Sequence, residues 1–262
     1  PLHLVPPPPI PLADVFAQEV LLRFVDTDGE ILLPSPFLLA AERYKLATVI
    51  DRWVIQHFCE QYPALQQRLA QAAADGSDPS PVVYMINLSG ASLKDDHLAQ
   101  FITEQLATHQ VPPTALCFEI TETIAITNFT KADRFIRDLK TLGCQFALDD
   151  FGSGMASFSY LKHLPVDFIK VDGTFVQEIL SDPINRSILE AIRQVGHSLG
   201  LEIIAEGVEY PDLLAALQYL GIDYAQGLGI APPYPLQSQN PLVSPVASTA
   251  LAHAGNPSRR SQ

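Results

Sequence analysis

The sequence predicts an α/β protein whose parallel strands close into a TIM-like (β/α)8 barrel. Three observations point there. From about Ser92 onward, short apolar segments that end in polar residues alternate with helical stretches, the pattern of a parallel sheet covered on both faces. Three helices close on Leu-Gly, at Leu142-Gly143, Leu199-Gly200 and Leu220-Gly221, and each leads after a near-constant interval to a polar residue at a strand end: Asp149, Glu206 and Gln226. Finally, 262 residues suit one barrel, a fold of about 250 residues. An open doubly wound sheet shares the first two features, and the length favours the barrel.

In chain order, QEVLLRF (Gln18 to Phe24) reads as a strand, and Phe37 to Gln61 as one helix or two short ones. Residues 71–81 have the composition of a surface loop. PVVYMINLS is the next strand, followed by a helix from about Ser92, whose hydroxyl and Asp95 resemble a capping box. LCFEIT, CQFALDD, DFIKVD, LEIIAE and DYAQG complete the strands. The glycines after each Leu fit the left-handed position beyond a helix C-terminus. Residues 1–236 are expected to form the domain and 237–262, rich in Pro, Ser, Gln and Asn, a disordered tail uninvolved in the chemistry.

Composition narrows the function. No apolar run approaches the roughly 20 residues that cross a bilayer, and no signal peptide opens the chain. The expectation is a soluble cytoplasmic domain, although a full-length protein could be membrane-attached. The start lacks methionine and is proline-rich from Leu4 to Pro11, as though cut from a longer protein. Cys59, Cys117 and Cys144 are odd in number and lack metal-type spacing, so reduced buried thiols are expected. A formal charge of −13 repels polymeric nucleic acid, and a small anionic substrate would need metal ions to bridge it to the protein.

In α/β barrels the C-terminal strand ends build the active site. Here they carry Glu19, Asn87, Glu119, Asp149-Asp150, Lys170, Glu206 and Gln226. Glu19 lies near the start of its strand as read, and an antiparallel first strand would bring it to the others. Five carboxylates and an amide suit Mg²⁺ or Mn²⁺ rather than zinc, because no His or Cys shares their positions. Two ions about 4 Å apart, with Asp149 bridging, would activate a water for in-line phosphoryl transfer. Lys170 would hold that water or offset phosphate charge.

Each residue also has a plainer reading. A lone acid at a strand end is usually solvated or a helix cap, Lys170 alone a surface charge paired with Asp172, and Gln226 alone a loop contact. Together these positions reverse that judgement. Gly152-Ser153-Gly154 reads as a flexible connection or as a mobile loop over the site. Glu122 is a helix-start carboxylate or the anchor of that loop; Arg23 is an ion-pair partner or a phosphate fork.

Taken together, EVLLR (Glu19 to Arg23), INLS (Ile86 to Ser89), EITET (Glu119 to Thr123), ALDDFGSG (Ala147 to Gly154), LPVDFIKVD (Leu164 to Asp172), AEGVE (Ala205 to Glu209) and QG (Gln226-Gly227) resemble the EAL-domain family of cyclic-di-GMP phosphodiesterases. The resemblance runs from about Leu4 to Pro233. It implies a barrel with an antiparallel first strand and hydrolysis of cyclic di-GMP to linear pGpG with two Mg²⁺ or Mn²⁺ ions. It assigns Glu19, Asn87, Glu119 and Asp149 to the first metal, and Asp149 and Asp150 to the second. Lys170 and Glu206 would organise the water, with Gln226 beside them; Glu122 would hold the loop from Asp150 to Ser157; Arg23 and Asp172 would serve the substrate. A homodimer and an upstream sensory or diguanylate cyclase domain are further expectations from the resemblance.

Some positions depart from the family pattern. Glu-Ala-Leu is Glu19-Val20-Leu21, Pro8-Pro9-Ile10 replaces Gln-Pro-Ile, Met155-Ala156-Ser157 replaces Tyr-Ser-Ser, and Leu228 stands where an aromatic ring is usual. None removes a metal ligand. The competing reading is a weak or inactive module that senses cyclic di-GMP or docks a protein, and the complete set of acidic residues argues against it.

Overall fold

The computed structural model describes residues 15–25, 31–32, 34–73, 82–152, 158–236 and 246–253. The chain enters with strand β1 (Val15–Leu22), followed by the two-stranded antiparallel pair β2 (Phe24–Val25) and β3 (Ile31–Leu32) and by helices α1 (Pro34–Arg43) and α2 (Ala47–Ala73). Then come β4 (Val83–Asn87), α3 (Leu98–Thr108), β5 (Leu116–Thr121), α4 (Glu122–Thr127), α5 (Phe129–Lys140), β6 (Gln145–Phe151), β7 (Phe168–Val171), α6 (Gly173–Gln177), α7 (Pro183–Ser198), β8 (Glu202–Ala205), α8 (Pro211–Leu220), β9 (Tyr224–Gln226), β10 (Tyr234–Pro235) and β11 (Val246–His253). No helix among the described residues is long and apolar enough to cross a membrane.

Seven strands, β1 and β4 to β9, run parallel, each paired to the next. β11 pairs antiparallel with β9 on one side and β1 on the other, which joins the two ends of the parallel sheet. The expected antiparallel first strand is therefore wrong: β1 is parallel to β4, with Glu19 opposite Met85 and Val20 opposite Ile86. The reason lies in where β1 starts. It begins at Val15, so Glu19 falls in its second half, and a parallel strand delivers it to the C-terminal face without reversal. The antiparallel member comes instead from 246–253, within the segment whose composition suggested an unstructured tail.

The strands have two apolar faces, as parallel strands buried on both sides require. One face joins the helices in the large core, with Val20, Ile86, Phe118, Leu148, Ile169 and Ile203 among its residues. The other gives a small separate core of Ala17, Val83, Met85, Cys117, Ala147, Phe168, Ile204 and Tyr224, all on the seven parallel strands and none on a helix. This is the inside of the barrel, filled by side chains as in other barrels of this class. The three cysteines are free and buried, as expected.

Several boundaries shift. The apolar run from Phe37 divides into α1 and α2, with Lys45 at φ 60° in the break. The capping box at Ser92 does not form: Ser92–Lys94 is a single 3-10 turn, and the Ser92 hydroxyl donates to Asp51 on α2. The left-handed glycines are where the Leu-Gly pattern put them, with φ 108° at Gly143, 79° at Gly200 and 74° at Gly221. Residues 74–81 of the expected loop and the departures at Pro8 to Ile10 and Met155 to Ser157 lie outside the described residues, as do Ser153 and Gly154.

Candidate active site

Side chains along a strand alternate between faces, so the residue two places beyond each inward apolar residue also points into the barrel. Ala17 leads to Glu19, Met85 to Asn87, Cys117 to Glu119, Ala147 to Asp149, Phe168 to Lys170, Ile204 to Glu206, and Tyr224 to Gln226. Seven strands thus change from apolar to polar toward the same end of the barrel. Asn87 lies opposite Glu119 and Gln226 one residue past the last β8–β9 pair, while Glu19 opposite Met85, Glu119 opposite Ala147 and Lys170 opposite Ile204 step the ring by two residues.

Lys170 stands at the centre. Its side chain is fully buried, and Nζ lies 2.8 Å from Glu206 Oε1, 3.0 Å from Glu119 Oε1, 3.2 Å from Asp149 Oδ1 and 3.6 Å from Glu19 Oε2. The plainer reading of Lys170 as a surface charge beside Asp172 is excluded. Glu19 is held from two sides: Asn87 Nδ2 donates to Oε1 at 2.7 Å and Gln226 Nε2 to Oε2 at 2.6 Å. That second bond joins the first and last parallel strands.

Burial alone would push Lys170 down, but Glu119, Glu19, Glu206 and Asp149 hold it well above the usual lysine range. Burial, with Glu19 adding to it, pushes Glu119 well above the usual carboxylate range. Glu206 is pushed up to about 7, by burial first, with Lys170 opposing and Asp149 reinforcing. For Glu19, burial is outweighed by Lys170 and by the bonds from Gln226 and Asn87, so its carboxyl sits below the ordinary value. Local geometry thus drives similar carboxylates in opposite directions.

Asp150 breaks the alternation. It takes the left-handed conformation at φ 54°, and the β6–β7 register slips between Leu148 and Phe151. The turn brings Asp150 to the same side as its neighbour, and carboxylate oxygens of Asp149, Asp150 and Glu206 all lie within 4.8 Å of one another. Burial and the nearby Asp149 raise the Asp150 carboxyl.

The residues fit divalent cations. Glu119 Oε2 and Gln226 Oε1 are buried without a hydrogen-bond partner, while Glu119 Oε1 and Asp149 Oδ1 are buried facing the Lys170 ammonium at 3.0 and 3.2 Å. Five carboxylates (Glu19, Glu119, Asp149, Asp150 and Glu206) against one ammonium leave four negative charges if all ionise, which two divalent ions match. All donors are oxygen, the preference of Mg²⁺ and Mn²⁺.

Glu122 opens α4 and is buried. Its Oε1 accepts from the Tyr160 hydroxyl at 2.8 Å and its Oε2 from the Gly152 N–H at 3.2 Å, so it ties together the chain on either side of 153–157. Tyr160, its partner, carried no signal in the sequence. Arg23 is turned back, Nη1 donating to the Leu22 carbonyl at 2.8 Å. Asp172 caps α6, its Oδ1 accepting from Thr174 N–H at 2.7 Å.

A cavity of about 390 Å³ opens beside the cluster, lined by Asp150, Asp172, Glu206, Glu209 and Gln226, with exposed Leu228 at its edge. Gly173, Gly207 and Gly227 also line it. A Cβ on Gly227 would fall 2.2 Å from the Val208 carbonyl oxygen, and one on Gly207 3.0 Å from Gly173 Cα. Sequence reasoning recognised the QG pair but missed this close approach, because a glycine's neighbours across space leave no mark on its own segment.

Residues 11–233 match the family model described as EAL domain. The cyclic di-GMP phosphodiesterase PdeB of Shewanella oneidensis is 41% identical over 221 residues, 84% of this chain and 25% of the relative. This chain therefore spans about a quarter of that relative's length. Among solved structures, the phosphodiesterase PaMucR in complex with c-di-GMP has a TM-score of 0.74 at 31% identity, covering 83% of this chain and 85% of the other. The FimX EAL domain from Pseudomonas aeruginosa bound to c-di-GMP has a TM-score of 0.71 at 35% identity, covering 81% of each.

Proposed function

Because the chain belongs to the EAL domain family, we propose that it hydrolyses one phosphodiester bond of cyclic di-GMP to give linear pGpG, using two Mg²⁺ or Mn²⁺ ions. Glu19, Asn87, Glu119 and Asp149 would hold the first ion, and Asp149 with Asp150 the second. When bound, the ions supply an activated water and neutralise charge around phosphorus.

The observation that carries this reading is the ring of inward carboxylates around Lys170, with Glu119 Oε2 and Gln226 Oε1 buried and without a hydrogen bond. Lys170 holds Glu206 at 2.8 Å, so the attacking water would sit beside this pair, with the Glu206 carboxylate as its proton acceptor. Gln226 holds Glu19 in its rotamer through the 2.6 Å bond. The cavity beside the cluster would take a guanylate unit, with Asp172 at its wall and Arg23, once turned outward, on a phosphate. Glu122 acts through Gly152 and Tyr160, positioning the chain that follows Asp150. The same reading includes a cytoplasmic location, a homodimer and an upstream sensory or diguanylate cyclase domain.

The test is incubation of the purified chain with cyclic di-GMP and Mg²⁺ or Mn²⁺, with an EDTA control and chromatographic separation of nucleotides. Metal-dependent pGpG is expected, and Glu19→Ala and Asp149→Ala should each lower kcat by about 100-fold or more while the fold survives. Unchanged turnover in either variant overturns the ligand assignment. Binding of intact cyclic di-GMP without cleavage would make the chain a sensor.

A further inference from the structure

Asn87 is exposed, unlike Glu19, Glu119 and Asp149, so packing does not hold its side chain; its direction depends on the backbone around it. That backbone is clamped twice. On one side the Leu88 N–H donates to the Glu119 carbonyl at 2.9 Å, extending the β4–β5 pairing beyond Asn87. On the other, Asp51 Oδ2 accepts from the Ser89 N–H at 2.8 Å and from the Ser92 hydroxyl at 2.6 Å.

Asp51 is an uneconomical way to hold a loop. It is buried on α2, and burial raises its carboxyl despite the bonds from Ser92 and Ser89. The ordinary fastening between the two segments is already present next door, where Arg52 meets Asp95 Oδ2 through Nη2 at 2.7 Å and Nε at 3.2 Å and lies over the Phe101 ring. What Asp51 adds is a fixed Ser89 peptide, two residues beyond Asn87, and Asn87 in turn donates to Glu19.

Resting on the proposed metal chemistry, we propose that Asp51 is a positioning residue for the metal site, setting the β4 end so that Asn87 stands beside Glu19 and Glu119. Outer partners of this kind change metal affinity when removed, without touching the metal.

The test is titration of the purified chain with Mn²⁺, the free ion being counted by its electron paramagnetic resonance signal, with no substrate present. Asp51→Ala should weaken Mn²⁺ binding by about 10-fold. Asp51→Asn should restore most of it, since an amide oxygen still accepts from Ser89 and Ser92. Arg52→Ala, which loosens the neighbouring clamp, should lower the melting temperature and leave Mn²⁺ affinity alone. If Asp51→Ala does not fold, Ser92→Ala, which removes the 2.6 Å bond to Asp51 and the weaker 3.3 Å bond from the Ser89 hydroxyl, should still weaken binding measurably. Unchanged affinity in Asp51→Ala, or in Ser92→Ala if it stands in, overturns the proposal, as does equal weakening in Arg52→Ala. The assay separates the two readings: wild type that binds Mn²⁺ but leaves cyclic di-GMP intact fails as an enzyme without affecting this comparison. Wild type that binds no Mn²⁺ overturns the positioning role.

Discussion

Lys170→Met keeps the length of the buried stem and removes its ammonium from among four carboxylates at 2.8 to 3.6 Å. Removing one partner of a buried ion pair costs about 3–5 kcal/mol, because the other is left uncompensated. In a chain of 262 residues, each kcal/mol moves the melting temperature by about 2–4 °C, so the metal-free variant should melt roughly 10 °C lower. The deficit should depend on pH in a definite sense. Glu119 is already held well above the usual range, and without Lys170 it is held higher still, so the folded variant retains a proton that the unfolded chain gives up. A raised carboxyl is harmless below its unfolded value and costs stability as pH rises beyond it. Calorimetry in EDTA should therefore show a deficit that is small near pH 4.5 and grows toward pH 8, and Mn²⁺ should recover more for the variant than for wild type. A melting temperature within about 2 °C of wild type at pH 8 would refute the idea that Lys170 is the charged centre of the cluster.

Two further outcomes follow from the same geometry. Glu206 is pushed up to about 7, so between its ordinary 4.5 and that value the folded chain binds more protons than the unfolded one, and metal-free stability should fall as pH rises through this window. The contribution is about 3 kcal/mol; Glu206→Gln should flatten the difference between urea midpoints at pH 4.5 and 7.5, and an unchanged difference would contradict the assignment. Gly227→Ala would drive a Cβ into the Val208 carbonyl, displacing the Val208 N–H bond to Gln226 O and the Gly229 N–H bond to Val208 O. A loss of about 2 kcal/mol or more in denaturant melts is expected, with a raised KM for cyclic di-GMP; a neutral result would show that these loops yield freely.

The parallel sheet and the polar strand ends were legible because they are periodic. Leu-Gly followed at a fixed interval by an acid or amide is a local pattern, and the apolar residue two places before each polar one is visible in MIN, CFE, ALD, FIK, IAE and YAQ. What failed was non-local. Glu19 seemed misplaced only because the strand was taken to begin at Gln18, since the residues before it gave no clear alternation. Lys170 was placed in the site by its strand-end position, but its burial was not legible, because burial of a lysine is decided by four acids on other strands. Ser92 looked like a helix cap because its true partner, Asp51, is 41 residues away. The strand at 246–253 follows a run of polar and proline residues, and alanine and serine within it have weak strand preference; its pairing with β1 and β9 overrides that.

That closing strand also sets a timetable for synthesis. A chain emerging from the ribosome can lay down β1 and β4 to β9 in order, each beside its predecessor, but the seam between first and last waits for 246–253. Until then β1 and β9 each present a bare edge, the kind of surface on which unfinished chains stick to one another. The Gln226–Glu19 bond spans 207 residues and crosses that seam. The buried cluster around Lys170 is thus closed only once 246–253 has been made, later than every parallel strand that carries its residues.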